Sequence, residues 1–463
     1  MIRLIATIVA VAVILWLFYL DRDRQVRTSK ALWIPTVWLL INGSRAVSEW
    51  SLSDQAAAST THISEGSPLD VALYAALIGA GVLVLNHRSV QVKRFLQGNF
   101  PLLLFFAYCA LSIAWSDFPL IAAKRWVKAV GDLVMLLVVL TDQNPLAATR
   151  RLFARLAFVL LPLSVLFILQ YPTLGSFYDS SSGVTYYSGV TTQKNTLGQT
   201  CMVCGLASLW SFVAAFENRK MPHRVRHLAA HGMILASAVW LIVKADSMTS
   251  MSCLALAGAV MIMATQRWVA ARPGGINAIV GGAVGLAVFA VFIDSAGSLL
   301  HSLGRNATLT GRTAIWKAVL SLHTNPLVGT GFESFWLGSR LQVVWSASDV
   351  GILQAHNGYL EIYINLGWIG VILLGGLAVT GYRHALAVFR QDPEAGRLAL
   401  AFFAAGLIFS LSEAGFRMMN LIWFAFLLAI SGIPLGLQSK QGQETLKLPS
   451  NKSVLKNRFR VLQ

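Results

Sequence analysis

An arginine at the start of a short helix and a histidine at the mouth of an apolar run are the residues of this chain best placed for chemistry. Arg312 opens residues 311–323, where Ile315, Trp316, Val319, Leu320 and Leu322 recur at helical spacing. A guanidinium beside the free backbone N–H groups of a helix start favours an anion, and phosphate is the natural candidate. His356 begins the next apolar run, and a neutral imidazole there accepts a proton from an attacking hydroxyl. Asn357 and Glu361 stand four apart, on one face of the helix that this run should form. Glu361 is an ionisable group at or within an apolar segment, a costly position that calls for a partner or a function.

Other polar residues repeat the theme more weakly. Lys317 and Arg340 lie in the same interval as Arg312. Lys194 sits at the mouth of another apolar run, in the segment Gly189 to Gly198. Lys124, Arg125 and Lys128 enter the first half of an apolar stretch, with Asp117 and Asp132 as the acids within reach along the chain. Glu413 and Arg417 stand four apart between the last two apolar runs and read as an ion pair. Clustered carboxylates of the kind that hold a divalent metal are not apparent. Asp294, Glu333 and Asp349 are far apart, and Asp21-x-Asp23 has the spacing but falls on the wrong side of the membrane. No metal and no cofactor is expected. Cys109, Cys201, Cys204 and Cys253 all lie in apolar runs and read as packed thiols.

The elements that must position these residues are membrane helices. The chain of 463 residues is 56% hydrophobic and only 12% charged, about half the charge of a soluble domain. Apolar stretches of about 17–22 residues, long enough to cross ~30 Å of hydrocarbon, begin with 2–20 and 31–47 and end with 396–413 and 419–437. The expectation is an all-α polytopic membrane protein with about 12–13 transmembrane helices. The net charge of +17 does not point to nucleic acid, because Lys and Arg gather in alternate short loops as orientation in a membrane requires. Those charges place residues 294–355 and the Lys- and Arg-free segment 48–67 on the outer, periplasmic side. Four parts are expected: a transmembrane bundle over 1–293, a large periplasmic catalytic loop carrying short helices over 294–355, transmembrane helices over 356–437, and a disordered basic cytoplasmic tail over 438–463.

The motifs Thr310-Gly311-Arg312-Thr313-x-x-Trp316, Asn325-Pro326-Leu327-x-Gly329-x-Gly331 and His356-Asn357-Gly358-Tyr359-Leu360-Glu361 together resemble the signature of the O-antigen ligase family, whose superfamily also holds polysaccharide polymerases and exopolysaccharide-production proteins. Lys194-Asn195-x-Leu197-Gly198 resembles the family's earlier motif. The resemblance implies a metal-independent, inverting membrane glycosyltransferase. Its donor would be an undecaprenyl-diphosphate-linked glycan. Its acceptor would be lipid A–core in a ligase, the preferred reading, or a second lipid-linked glycan in a polymerase. It places Arg312 on the diphosphate and His356 near the acceptor, with Lys194, Arg340, Lys317, Asn357 and Glu361 as further substrate-binding candidates. A lipid-linked oligosaccharide flippase is the competing class. Such a transporter should show repeats and mid-membrane charges, and here the distinctive residues gather in one outer loop.

Overall fold

The computed structural model describes residues 1–22, 27–50, 67–179, 183–272, 274–295, 309–347 and 352–432. Among the described residues the architecture is all-α apart from one antiparallel hairpin, β1 (Ser176–Asp179) and β2 (Val184–Tyr187), in which Phe177 pairs with Tyr186. Its helices are α1 (Ile2–Leu20), α2 (Trp33–Asn42), α3 (Pro68–Asn86), α4 (Ser89–Gly98), α5 (Phe100–Leu111), α6 (Pro119–Leu140) and α7 (Pro145–Gln170) in the first half. The second half holds α8 (Lys194–Glu217), α9 (Arg224–Lys244), α10 (Met248–Met263), α11 (Gly275–Ser295), α12 (Leu309–Ser321), α13 (Gly338–Ala347), α14 (Gly358–Gln391), α15 (Pro393–Phe409) and α16 (Leu421–Ile430). A few single-turn helices link them. The expected tail over 438–463, and His301 and Asp349 of the outer loop, lie outside the described residues.

Every apolar stretch of the sequence coincides with a helix, yet fewer of them are membrane spans than the expected 12–13. Among the described residues six helices are long and apolar enough to cross a membrane, or seven if the bent pair α4–α5 counts as one span. Two physical effects account for the difference. The first is length: α2 and α16 have ten residues each, about 15 Å at 1.5 Å per residue and half of the hydrocarbon thickness. The second is the origin of the apolarity. All ten residues of α16 are buried against protein, so its composition reports a core helix rather than a lipid-facing one. α1 is the opposite case, burying only Ala10, Leu17 and Leu20, and its exposed Ile2, Leu4, Ile5, Ile8 and Leu15 suit lipid. Lys93 and Arg94 lie on α4, which turns by 89° into α5. Pro101 just inside α5 has no N–H to continue an earlier helix and disfavours helical backbone before it.

The core is built on α8, which packs against α7, α9, α10 and α15, while α15 carries α14 and α16. The segment between α13 and α12 folds on a cluster of its own: Ile315, Val319, Phe335, Trp336, Leu341 and Val344 close over Ala355 and Ile364. It is tied to α14 at a break. Gly367 has φ of 65°, so α14 is two helices joined at a kink. The amide groups freed there are taken up by the loop: Trp368 N–H donates to Pro326 O (2.9 Å), and Gly331 N–H donates to Asn365 O (2.9 Å). Backbone packs on backbone here. A Cβ on Gly367 would fall 2.2 Å from the carbonyl carbon of Leu327, and one on Gly329 would fall 2.4 Å from that of Asn365. Only glycine permits both the left-handed φ and this approach.

Candidate active site

Three remote segments converge on one carboxylate, that of Glu413. α15 ends at Phe409, and residues 410–420 run as turns rather than as helix. This irregular stretch turns Glu413 inward, where its side chain is 5% exposed. Arg312 Nη2 donates to Glu413 Oε1 at 2.8 Å, and Asn195 Nδ2 donates to the same oxygen at 2.9 Å. His356 Nδ1 donates to Oε2 at 2.9 Å. The interval 309–321, the mouth of α8 and the His356 turn are thereby joined through a residue that the sequence had assigned elsewhere. Glu413 was expected to pair with Arg417. Residues four apart face each other on a helix, and the chain is not helical over 413–417.

The geometry around His356 is specific. Its backbone has φ of 48°, a left-handed conformation that costs a non-glycine residue energy and that clusters at functional sites. A carboxylate only accepts hydrogen bonds, so in the neutral ring the contact at Nδ1 assigns the proton to Nδ1 and leaves a lone pair on Nε2. Arg312, in the first turn of α12, contacts Glu413 through one nitrogen and is 19% exposed. Among the described residues the rest of its donor fork has no partner other than Glu413, which leaves it for an anion. One turn along α12 from Arg312, an aromatic groove of about 510 Å³ opens, lined by Trp316, Leu320, Tyr359, Leu360, Tyr363 and Trp368. A charged, partly wet cluster thus stands at the head of an apolar slot.

The other candidates serve different contacts. Asn357 caps α14: its Oδ1 accepts from Tyr359 N–H and Leu360 N–H, both at 3.0 Å, and its Nδ2 donates to Leu411 O. Glu361 is buried and accepts from Trp336 Nε1 at 3.0 Å and from Ala355 N–H, so it holds the loop that leads into His356. The His356 ring is oriented by Glu413, from the opposite wall, and not by these two neighbours. Arg340 pairs with Asp117 at 2.6 Å. Lys317 is exposed. Lys194 lies over the Tyr186 ring at 4.0 Å and at 4.0 Å from Asp246. Of the site residues expected from sequence, Arg312 and His356 are the ones brought together. Glu413 and Asn195 were missed, although Asn195 stood in a motif already singled out.

A second buried ionic group braces the site. Arg417 Nη2 donates to Glu333 Oε2 at 2.9 Å, its Nε lies 3.3 Å from the same oxygen, and its Nη1 donates to Leu353 O. Arg125 donates to the backbone carbonyl of Glu333. Burial pushes the Glu333 carboxyl up, but Arg417 and then Arg125 outweigh it and hold the group below its ordinary value. Asp117 and Asp132, the acids nearest to Lys124, Arg125 and Lys128 along the chain, are engaged elsewhere. Asp117 takes Arg340, while Asp132 accepts from Trp38 Nε1 and Met419 N–H, each at 2.8 Å.

With this geometry in view, residues 201–375 match the family model described as O-antigen ligase. Over these residues the chain resembles the O-antigen ligase family. It is also similar to the exopolysaccharide production protein ExoQ of Rhizobium meliloti (strain 1021), with 27% identity over 306 residues that cover 63% of this chain and 66% of that protein. The matched region takes in α8 to the break of α14 and so includes Arg312 and His356, whereas Asn195 and Glu413 lie outside the family model. With six or seven helices long and apolar enough to cross a membrane among the described residues, the chain is a multi-pass membrane protein.

Proposed function

We propose that the chain transfers a glycan from undecaprenyl diphosphate to a sugar hydroxyl on the periplasmic side of the inner membrane. The observation that carries this reading is the convergence of Arg312, His356 and Asn195 on Glu413 at the head of the aromatic groove. The groove takes the apolar start of the carrier lipid. Arg312 meets the diphosphate and stabilises the negative charge that grows on it as the bond to the sugar breaks. His356 Nε2 takes the proton from the acceptor hydroxyl as its oxygen bonds to the anomeric carbon. The leaving group departs from the opposite face, so the anomeric configuration inverts. Glu413 holds the imidazole in the tautomer with Nε2 free and balances the charge that the ring acquires, in the manner of the carboxylate of a Ser-His-Asp triad.

Two acceptors fit this chemistry. The family description favours transfer to lipid A–core. The similarity to an exopolysaccharide production protein favours a growing lipid-linked glycan, and this polymerising reading is the one we prefer. Glycolipid analysis of a deletion strain tests the assignment. A polymerase leaves single repeats on the carrier or capping its acceptor, and a ligase leaves full-length glycan on the carrier. Wild-type glycans with no stranded carrier-linked glycan would overturn both readings.

A further inference from the structure

We propose that Asp21, His227 and His231 form a binding site for a divalent transition-metal ion, zinc in the first instance, that fastens the first helix to the bundle. His227 and His231 are one turn apart on α9, so both rings leave the same face. Asp21 terminates α1 and faces them. His227 Nδ1 lies 2.8 Å and His231 Nε2 3.1 Å from the same oxygen, Asp21 Oδ1. The potential ligand atoms of the three residues all lie within 4.8 Å of one another. Bonds of about 2.0–2.2 Å in a tetrahedral site set ligand atoms about 3.3–3.6 Å apart, so an ion would enter by widening the two short His–Asp contacts by about 0.5 Å.

The surroundings suit an ion. The three side chains are 13%, 9% and 2% exposed. Two imidazoles and one carboxylate are a zinc ligand set, and the fourth position is left for water. The Phe158 ring lies 5.6 Å from that of His231 and limits its rotation. α1 is exposed over more than half of its residues and rests on α7 and α9 alone among the larger helix contacts, so a tie at its C-terminal end would restrain it. The cluster is also distant from the Glu413 site. Asp246, just past the end of α9, lies against Lys194 beside that site, whereas His227 is in the first turn of α9, about 25 Å away along the helix at 1.5 Å per residue. The ion therefore holds structure and takes no part in glycan transfer.

The test uses the full chain, without an oligohistidine tag, purified in detergent, stripped with chelator and titrated with cobalt(II). One equivalent per chain should bind with the visible absorption of a tetrahedral site, and zinc should displace it. His227→Ala, His231→Ala and Asp21→Asn should each weaken cobalt binding by at least about tenfold. His323→Ala, at an exposed histidine outside the cluster, should leave it unchanged. Elution as a single monodisperse species shows that a variant is folded, and Asp21→Asn, which keeps the shape and one carbonyl oxygen, covers the case in which a histidine variant is not. Absence of a stoichiometric cobalt spectrum in the wild-type chain overturns the site, as does binding in the folded variants that equals the wild type.

Discussion

Exchanging Glu413 for Gln separates a catalytic hub from an ordinary ion pair. The side chain keeps its volume, but one carboxylate oxygen becomes an NH2 group. Two donors, Arg312 Nη2 and Asn195 Nδ2, face Oε1, and one, His356 Nδ1, faces Oε2. If the amide oxygen takes the Oε1 place, its NH2 meets the Nδ1–H of His356 donor to donor. The ring must then move its proton to Nε2, and the lone pair needed for the acceptor is lost. The corresponding exchange in a Ser-His-Asp triad lowers turnover by about 10⁴, and general-base catalysis as a whole contributes about 10²–10⁴. Glu413→Gln should therefore lower the single-turnover rate at least about a hundredfold. Binding of the lipid-linked donor should persist, because Arg312 is retained and released from its partner. The assay is transfer of a labelled glycan from a synthetic lipid diphosphate in proteoliposomes, with donor binding measured separately. A Glu413→Gln variant that transfers at a near-normal rate would refute the role given to Glu413 and to the His356 tautomer. Equal loss of binding and rate would reduce the hub to a scaffold.

Other outcomes follow from the same contacts. Arg312→Lys keeps the charge but not the fork; it should lose the equivalent of a charge-assisted hydrogen bond, about 1.5–3 kcal/mol or 10–150-fold in rate, in the proteoliposome assay. Gly367→Ala places a Cβ 2.2 Å from Leu327 C at a φ of 65°. It should lower stability by at least about 1–3 kcal/mol, seen as a lower midpoint in thermal unfolding of the detergent-solubilised protein, whereas Gly376→Ala, with no atom near its Cβ, should not. The Glu333 carboxyl titrates below its ordinary value of 4.5 when folded, so its pairing stabilises the fold fully above that pH and loses this effect as pH falls below it. Glu333→Gln should therefore flatten the acid limb of the stability–pH curve, measured as unfolding midpoints between about pH 3 and 6.

Much of this molecule was legible from composition and spacing. Apolar stretches became helices without exception because an apolar chain can satisfy its backbone in a membrane only within a helix or a closed sheet. Arg312 and His356 were legible because polar residues stand out at the edges of apolar runs. Two things were decided only by tertiary structure. The first is which apolar helices face lipid and which face protein: α1 and α16 are similar in composition, yet one is exposed and the other wholly buried. Hydropathy records the cost of meeting water and does not distinguish a lipid from a phenylalanine. The second is the identity of the partners. Glu413 and Arg417 are four apart, and a helix would have paired them, but the chain turns at Ser410 and sends one to Arg312 and His356 and the other to Glu333. Local spacing predicts contact only where the local backbone is regular. The site lies where regularity ends, and packing against α8, α12 and α14 chose its partners.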